Sequence, residues 1–467
     1  MSLIELVDIV DPEELTPVHF IAIGGVSMSS IAELFAERGM QVSGCDHAPS
    51  SVLDRLSEKG IEVFIGHDPS HLNGVRGVVV SSAIGVGNPE LQEAKKRGLN
   101  IWHRSAALAS LMQGKSVISV AGTHGKTSTT GMISVILSQA GLAPSYAIGA
   151  PLADSGESAK IDDGQWFVVE ADESDGSFLQ FPTEIAVITN VEADHLDNWG
   201  DPASYADGFV RFAAADSVRT VVLDGDDPGA RALAASLPAD RVITYGESEG
   251  CDVRITEINV DDFRATAILQ TKTGDYPLRL NVPGRHNIHN AAGAFAAAQL
   301  TGLEPEQILA GLAAFNGTMR RFQPVGEVAG IRVFDDYAHH PTELRAALTA
   351  ARKVAAGGRV VACFQPHLYS RTRDFADEFG EALTLADVIV LTDIYPAREE
   401  PIPGVTGELL VNKVREHSRT AVYVADKVEL PAALAEIANS GDLVITLGAG
   451  DITKVGPRLV NLLEGGR

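Results

Sequence analysis

The residues best placed to do chemistry begin with GTHGKT at 122–127, which sits between the apolar run SVISVA (116–121) and a helical stretch. A strand that feeds a glycine turn into a helix points backbone N–H groups and the positive end of the helix dipole at a phosphate. Gly122, Thr123, His124 and Gly125 would form that cradle, with Ser128 at the helix entry. Lys126 would neutralise β/γ-phosphate charge, its ammonium solvated until phosphate arrives, and the Thr127 hydroxyl would ligate Mg²⁺. The pattern departs from G-x-x-x-x-G-K-[ST] because Val120 stands at the first glycine position. A second glycine loop, GGVSMS at 24–29, also joins a strand to a helix, and Asp46 follows at the end of the next strand. A dinucleotide, a diphosphate from another nucleotide and a plain helix–sheet turn all fit that loop.

Two acidic strings end apolar strands in the same way. EADESDGSF (170–178) follows WFVV, and NVEADHLD (190–197) follows IAVIT. Carboxyl ends of strands are where open α/β sheets bind ligands, so Glu170 and His195 are expected close to Lys126 and Thr127. A carboxylate and a hydroxyl suit Mg²⁺. Histidine is a less usual Mg²⁺ ligand, so His195 marks either an Mn²⁺-tolerant position or a hydrogen-bonded loop residue. GRHNIHNAAGA (284–294) sets Asn287 and Asn290 three apart at a helix start, where they either cap the helix or read an adenine edge. MRRF (319–322), DDYAHHPTE (335–343) and QPHLYSRTR (365–373) concentrate cations and histidines. Arg320 or Arg321 would grip a γ-phosphate through a planar guanidinium. His367 and Arg371 follow the strand RVVACF.

These groups need elements to hold them. The chain has 467 residues, 45% of them hydrophobic and 21% charged, an ordinary globular composition that excludes a disordered or collagen-like chain. Lys and Arg number 37 against 62 Asp and Glu, a net charge of −25. Such a chain has no general attraction for nucleic acid or anionic lipid, so it must bind phosphates with a few local donors. The three cysteines, Cys45, Cys251 and Cys363, lie far apart without a C-x-x-C, which argues against a disulfide framework or a thiolate zinc site and for a reducing compartment. The acidic start is not expected to act as a signal peptide, and no apolar run reaches the roughly 18 residues of a spanning helix. A cytoplasmic protein is expected.

Apolar runs at 18–24, 41–46, 62–65 and 75–80 alternate with helical stretches, a doubly wound α/β pattern over roughly 15–112. A second alternation opens at Lys115 with strands at 116–121, 166–171, 185–191 and 219–224, hairpins between about 251 and 283, and an Ala-rich helix at 290–300. A third starts near Val325, with strands over IRVFDDY, 359–364, 387–394, 421–426 and 442–450. The expectation is three α/β domains in a row.

Taken together and in order, HFIAIGGVSMSSIA, VAGTHGKTSTT, VEADESDGSF, TNVEADHLD, GRHNIHNAAGA, RRFQ, DDYAHHPTE and QPHLYSRTR resemble the Mur ligases, ATP-dependent amide-forming enzymes of peptidoglycan synthesis. Within the family the similarity is to the branch that joins L-alanine to the lactyl carboxylate of UDP-N-acetylmuramate through an acyl phosphate. The resemblance implies a Rossmann-like UDP-sugar domain (1–113), a central P-loop ATPase-type domain (114–320) and a Rossmann-like C-terminal domain (321–467) that closes over both. It puts Gly24, Gly25, Ser29, Asp46, His67 and Ser82 in the UDP-N-acetylmuramate site, and Thr127, Glu170 and His195 on the metal, Mg²⁺ or Mn²⁺. Asn287 and Asn290 then recognise adenine. Arg321, with Arg320 second, touches phosphate, and Asp336, His339, His367 and Arg371 face the amino acid and the reacting centre; Lys126, His339, His367 and Arg371 are the expected catalytic groups, and Asp336 counts with the cofactor-binding ones. No nucleic-acid or membrane partner is implied, and the chain is expected to be a monomer or homodimer.

Two departures stand out. Leu368 replaces the basic residue that many relatives carry after the QPH histidine, and no lysine occurs between Lys160 and Lys272, so the carbamylated lysine of several Mur ligases cannot form here. Three rivals remain: a recycling ligase adding an intact murein tripeptide to the same UDP-sugar, a nicotinamide dehydrogenase, and a non-catalytic nucleotide switch. Ser174 in EADESD weighs against the first, the GTHGKT loop and third domain against the second, and the clustered C-terminal histidines against the third.

Overall fold

The computed structural model describes residues 3–465 except 262, 398 and 418. Its first five strands are β1 (Val18–Ile21), β2 (Val42–Asp46), β3 (Glu62–Ile65), β4 (Gly77–Val80) and β5 (Asn100–His103). They form a parallel sheet of order β3-β2-β1-β4-β5. The expected run 75–80 pairs only from Gly77, and β5 is a short strand that its half-polar sequence NIWH hid.

The next ten strands are β6 (Ser116–Ala121), β7 (Ser145–Ala147), β8 (Ala159–Lys160), β9 (Trp166–Glu170), β10 (Ile185–Ile188), β11 (Thr220–Asp224), β12 (Val242–Gly246), β13 (Val253–Asp261), β14 (Arg264–Thr271) and β15 (Gly274–Leu280). Their order, β15-β14-β13-β12-β11-β10-β6-β9-β7-β8, puts β6 between β9 and β10. All three pair in parallel, so the loops leaving their carboxyl ends emerge side by side. The alternating segments expected as hairpins are β13 to β15, which extend this sheet at one edge. The Ala-rich helix starts five residues earlier than expected, at Arg285, and runs to Gln299.

The last sheet holds β16 (Gln323–Val328), β17 (Ile331–Asp336), β18 (Val360–Phe364), β19 (Val388–Leu391), β20 (Ala421–Tyr423) and β21 (Leu443–Leu447). Its order is β16-β17-β21-β18-β19-β20, parallel except for the edge strand β16. β18 and β21 are buried at every residue, the signature of a strand covered on both faces.

These three sheets belong to two compact units. One comprises Met1–Thr256, Ile268–Leu278 and His289–Phe315; the other comprises Glu257–Ala267, Arg279–Ile288 and Asn316–Arg467. In the first unit one apolar cluster runs from Phe20 and Phe35 through Ala107, Leu111 and Met112 to Val117, Phe178 and Phe209, and a smaller one holds Ile21, Cys45, Leu72, Val78, Leu91 and Ala94. The sheets on either side of residue 113 share the larger cluster. No helix among the described residues is long and apolar enough to cross a membrane.

The helix Lys126–Gln139 carries the phosphate-loop lysine and is backed by the helix Pro305–Ala314. Gly311 lets the two approach, for a Cβ there would lie 2.5 Å from Ile136 Cα. A backbone atom cannot rotate away, so Gly311→Ala should separate the helices. We expect a lowered thermal midpoint and a loss of about 1–3 kcal/mol, as for overpacking. A gain of about 1 kcal/mol, the helix-propensity advantage of Ala over Gly, would instead mean that the contact does not constrain the helix.

Candidate active site

Strand β6 ends at Ala121 and the chain turns through Gly122 (φ +131°) and Gly125 (φ +83°), conformations that glycine adopts without strain. Space demands glycine as well. A Cβ on Gly122 would lie 2.1 Å from Thr189 Oγ1, and one on Gly125 2.5 Å from Asn290 Oδ1. The loop is tied to the end of β10: His124 N–H donates to Asn190 Oδ1 (2.9 Å), and Asn190 Nδ2 donates to the His124 carbonyl (3.0 Å). Thr123 Oγ1 donates to the Glu192 carbonyl at 2.8 Å, and His124 Nε2 meets Glu192 Oε2 at 3.1 Å. A loop fixed this way needs little reorganisation to receive a phosphate.

Lys126 is not solvated as the sequence suggests. Its Nζ donates to the Gly122 carbonyl at 2.6 Å and lies 2.8 Å from Glu173 Oε2, with the lysine side chain 16% exposed and Glu173 fully buried. Burial works against the lysine's charge, yet Glu173, with Glu170 and Asp172 beyond it, holds the ammonium above the ordinary lysine pKa. Burial pushes the Glu173 carboxyl up against the pull of Lys126 and His195. Glu173 is the residue sequence reasoning missed. It lies in the same EADESD string as Glu170, but three residues past the strand end, where periodicity no longer says which acid turns inward. Trp199 Nε1 donates to its carbonyl at 2.9 Å, and Tyr205 OH approaches its Oε1 at 3.4 Å.

Glu170, the last residue of β9, accepts from Thr127 Oγ1 at 3.0 Å and from Gly149 N–H at 2.6 Å. A hydroxyl and a carboxylate beside a phosphate loop are hard oxygen donors of the kind Mg²⁺ takes, so this part of the expected metal set is brought together. His195, in a left-handed conformation (φ +52°), points its Nε2 toward Glu173 Oε1 at 3.9 Å. It joins the site through Glu173 rather than through Glu170. Asn290 packs against the loop at Gly125, whereas Asn287 donates to the Pro283 carbonyl at 2.7 Å inside the first helical turns. Neither is the N-cap, because the helix already runs from Arg285.

The first glycine loop is closed by its acid: Gly24 N–H donates to Asp46 Oδ2 at 3.0 Å. Ser29 turns its hydroxyl back to the Val26 carbonyl and is buried in the helix that Gly25 opens. Ser82 donates to Asp175 Oδ2 (2.8 Å) and meets His103 Nε2 (3.1 Å). Arg104 bridges Asp172 (3.0 Å) and Asp175 (3.1 Å). Burial alone would raise the Asp172 pKa, and Arg104 holds it well below the usual carboxylate range. Burial and the same guanidinium depress His103 to about 4, leaving it neutral near pH 7. His67 is drawn to Glu90 Oε2 (3.0 Å) and Cys45 Sγ (3.1 Å).

In the second unit, Arg320 spends its guanidinium on the Gly448 (2.6 Å) and Gly450 (3.1 Å) carbonyls and on Asp335 (3.3 Å). It ties these loop carbonyls together, and Arg321 lies over the Tyr337 ring and 3.7 Å from Glu343. Asp336 accepts from Phe322 N–H (2.7 Å) and Ala338 N–H (2.8 Å) and so ties the residue before β16 to the turn after β17. Burial lifts its pKa to about 6, although Arg321 draws it down. His339, His367 and Arg371 do come together: the imidazoles meet edge to face at 5.8 Å, Arg371 Nη1 lies 3.4 Å from His367 Nδ1, and His367 stacks on Tyr395. Leu368 is buried, with φ +70° at the turn into this cluster.

Three family models match in succession: "Mur ligase family, catalytic domain" at residues 17–116, "Mur ligase middle domain" at 120–298 and "Mur ligase, glutamate ligase domain" at 320–450. The chain belongs to the Mur ligase family. The UDP-N-acetylmuramate–L-alanine ligase of Cutibacterium acnes is 58% identical over the full length of both chains. That of Kineococcus radiotolerans is 49% identical over 96% of each. Among solved structures, the UDP-N-acetylmuramate-alanine ligase of Thermotoga maritima superposes with a TM-score of 0.83 at 26% identity, covering 96% of this chain and 99% of its own. A murein peptide ligase from Psychrobacter arcticus gives 0.72 at 25% identity, covering 96% and 98%.

For a Mur ligase with this loop, Lys126→Ala should lower turnover at least about a hundredfold, since it removes a transition-state contact worth about 3 kcal/mol. It also strands a buried carboxylate, a further cost of about 3–5 kcal/mol in stability. Lys126→Ala/Glu173→Gln should recover most of that stability in denaturant melts and none of the turnover. A double variant no more stable than Lys126→Ala would show that the pair does not hold the loop.

Proposed function

We propose that this Mur ligase joins the amine of L-alanine to the lactyl carboxylate of UDP-N-acetylmuramate, with conversion of ATP to ADP and phosphate, in cytoplasmic synthesis of a peptidoglycan precursor. The observation that carries the reading is the full-length 58% identity to an alanine-adding relative, together with a phosphate loop whose lysine is already buried and ordered.

A carboxylate repels an amine and is a poor electrophile. Attack of one carboxylate oxygen on the γ-phosphorus, with ADP leaving, makes an acyl phosphate. The alanine amine then attacks the acyl carbon as its free base, phosphate departs, and the nitrogen gives up a proton. The first step brings two anions together and so needs cationic charge on the transferring group. Lys126 and Arg321 supply it, and the backbone N–H groups of 125–128, at the helix start, hold the β- and γ-phosphates. Thr127 and Glu170 would hold Mg²⁺ or Mn²⁺, with His195 beside them; the ion, when bound, offsets phosphate charge. Asn290, at the wall of the phosphate loop, and Asn287 are assigned to adenine. Gly24, Gly25, Ser29, Asp46, His67 and Ser82 are assigned to the UDP-sugar.

His339, His367 and Arg371 are assigned to alanine. A neutral imidazole accepts the amine's proton, and the guanidinium holds the amino acid's carboxylate. The C-terminal sequence carries the domain that closes on the substrates, and the protein works as a monomer or homodimer.

With purified protein and UDP-N-acetylmuramate, ADP release should require L-alanine and should not be supported by the intact murein tripeptide. Release driven by the tripeptide and not by alanine would transfer the protein to the recycling branch. ADP release without any amino acid, at the same rate as with it, would reduce the protein to an ATPase.

A further inference from the structure

A second group of ligand-type side chains lies inside the first unit, at the five-stranded sheet and away from the phosphate loop. His19 on β1, Cys45 on β2, His71 in the 3₁₀ turn Pro69–Leu72 and Glu90 in the first turn of the helix Pro89–Arg97 converge there. One ligand atom from each lies within 4.8 Å of all the others. Glu90 is the hub: its oxygens meet His71 Nδ1 at 2.7 Å, Cys45 Sγ at 2.8 Å and His19 Nε2 at 3.6 Å. His19, Cys45 and Glu90 are fully buried.

The catalytic account uses neither His19 nor Glu90. We infer that these four side chains form a binding site for a single divalent transition cation, zinc by their ligand chemistry, held by His19 Nε2, Cys45 Sγ, His71 Nδ1 and Glu90.

The decisive group is His19. Its Nδ1 is taken by Ser43 Oγ at 2.9 Å, while its Nε2 is buried without a hydrogen-bond partner and aimed into the cluster. An imidazole oriented through one nitrogen so that the other presents its lone pair is how metal-binding histidines are held. Phe64 stacks on His71 with ring centres 4.1 Å apart and fixes the second imidazole. One thiolate, two imidazoles and a carboxylate are a borderline-soft donor set that suits Zn²⁺ and not Mg²⁺. Metal–ligand bonds of about 2.0–2.3 Å imply tetrahedral edges of about 3.3–3.8 Å. The His19–Glu90 separation of 3.6 Å already falls in that range, and the two shorter contacts open as their protons leave. On binding, the Cys45 S–H proton goes to solvent and a sulfur–metal bond replaces it. The cysteine spacing could not reveal such a site, because it takes one ligand from each of four separate elements. An ion here would tie β1, β2, the turn and the helix together across this face of the sheet.

Metal-free full-length protein should be titrated with Co²⁺. The expected result is saturation at one cobalt per chain, with a thiolate-to-cobalt charge-transfer band and tetrahedral d–d bands that Zn²⁺ abolishes. Cys45→Ser should lose the charge-transfer band. Ser43→Ala should keep the bands but weaken cobalt binding by about tenfold, as for loss of a supporting hydrogen bond. X-ray absorption of the zinc-loaded wild type needs no variant, and should show one sulfur at about 2.3 Å with nitrogen and oxygen at about 2.0–2.1 Å. Absence of the thiolate band at equimolar cobalt, its survival in Cys45→Ser, or a zinc shell without sulfur would reduce the cluster to a hydrogen-bonded hub around Glu90 and overturn the proposal.

Discussion

The buried contact between Lys126 and Glu173 is the interaction on which the rest of the site depends. A chain with a net charge of −25 can bring two anionic substrates together only through cations placed at particular atoms. Lys126 is placed to be such a cation. It opens the helix after β6 and is held by the Gly122 carbonyl and by a carboxylate with no access to water. Taking both charges out of water is costly unless their geometry is good and their remaining hydrogen bonds are met. The Gly122 and Thr123 carbonyls meet that condition for Lys126, and Tyr205 OH lies 3.4 Å from one Glu173 oxygen, while Trp199 anchors the Glu173 main chain. The order β10-β6-β9 supplies the frame, since adjacent parallel strands deliver the loop, Glu170 and Asn190 to one edge.

A second set of charges reaches the same edge from the neighbouring sheet. Arg104, at the start of the helix after β5, is shared by Asp172 and Asp175, and Ser82 at the end of β4 donates to Asp175. One acidic string thus serves two purposes. Glu170 and Glu173 face the phosphate loop, while Asp172 and Asp175 anchor the first sheet to the second. The unbroken apolar core beneath them explains why the two sheets form one compact unit.

Much of the fold was legible because buried parallel strands write themselves as unbroken apolar runs. SVISVA matches the buried strand β6 residue for residue, and EVFI matches β3, an edge strand whose two end residues are exposed. The phosphate loop and the Thr127–Glu170 pair were legible for a related reason: strand ends in this architecture mark where ligands go. What the sequence hid were choices made by tertiary contact. Alternation cannot say that Glu173 and not Asp172 turns to Lys126. It cannot say that Arg320 is consumed by the carbonyls at 448–450, or that Ser29 bonds back to Val26. The cluster around Glu90 was invisible for the strongest form of this reason, since each of its members reads alone as an ordinary core or turn residue.

The account stands on phosphoryl transfer to the sugar's carboxylate, and an isotope tests that step most directly. UDP-N-acetylmuramate carrying heavy oxygen in its lactyl carboxylate should be turned over with ATP and L-alanine, and the released phosphate examined by mass. An acyl phosphate sends one carboxylate oxygen into the phosphate when alanine displaces it, so singly labelled phosphate should form in step with the amide. Unlabelled phosphate formed at the same rate as the amide would contradict the account, because its oxygen would then have come from water.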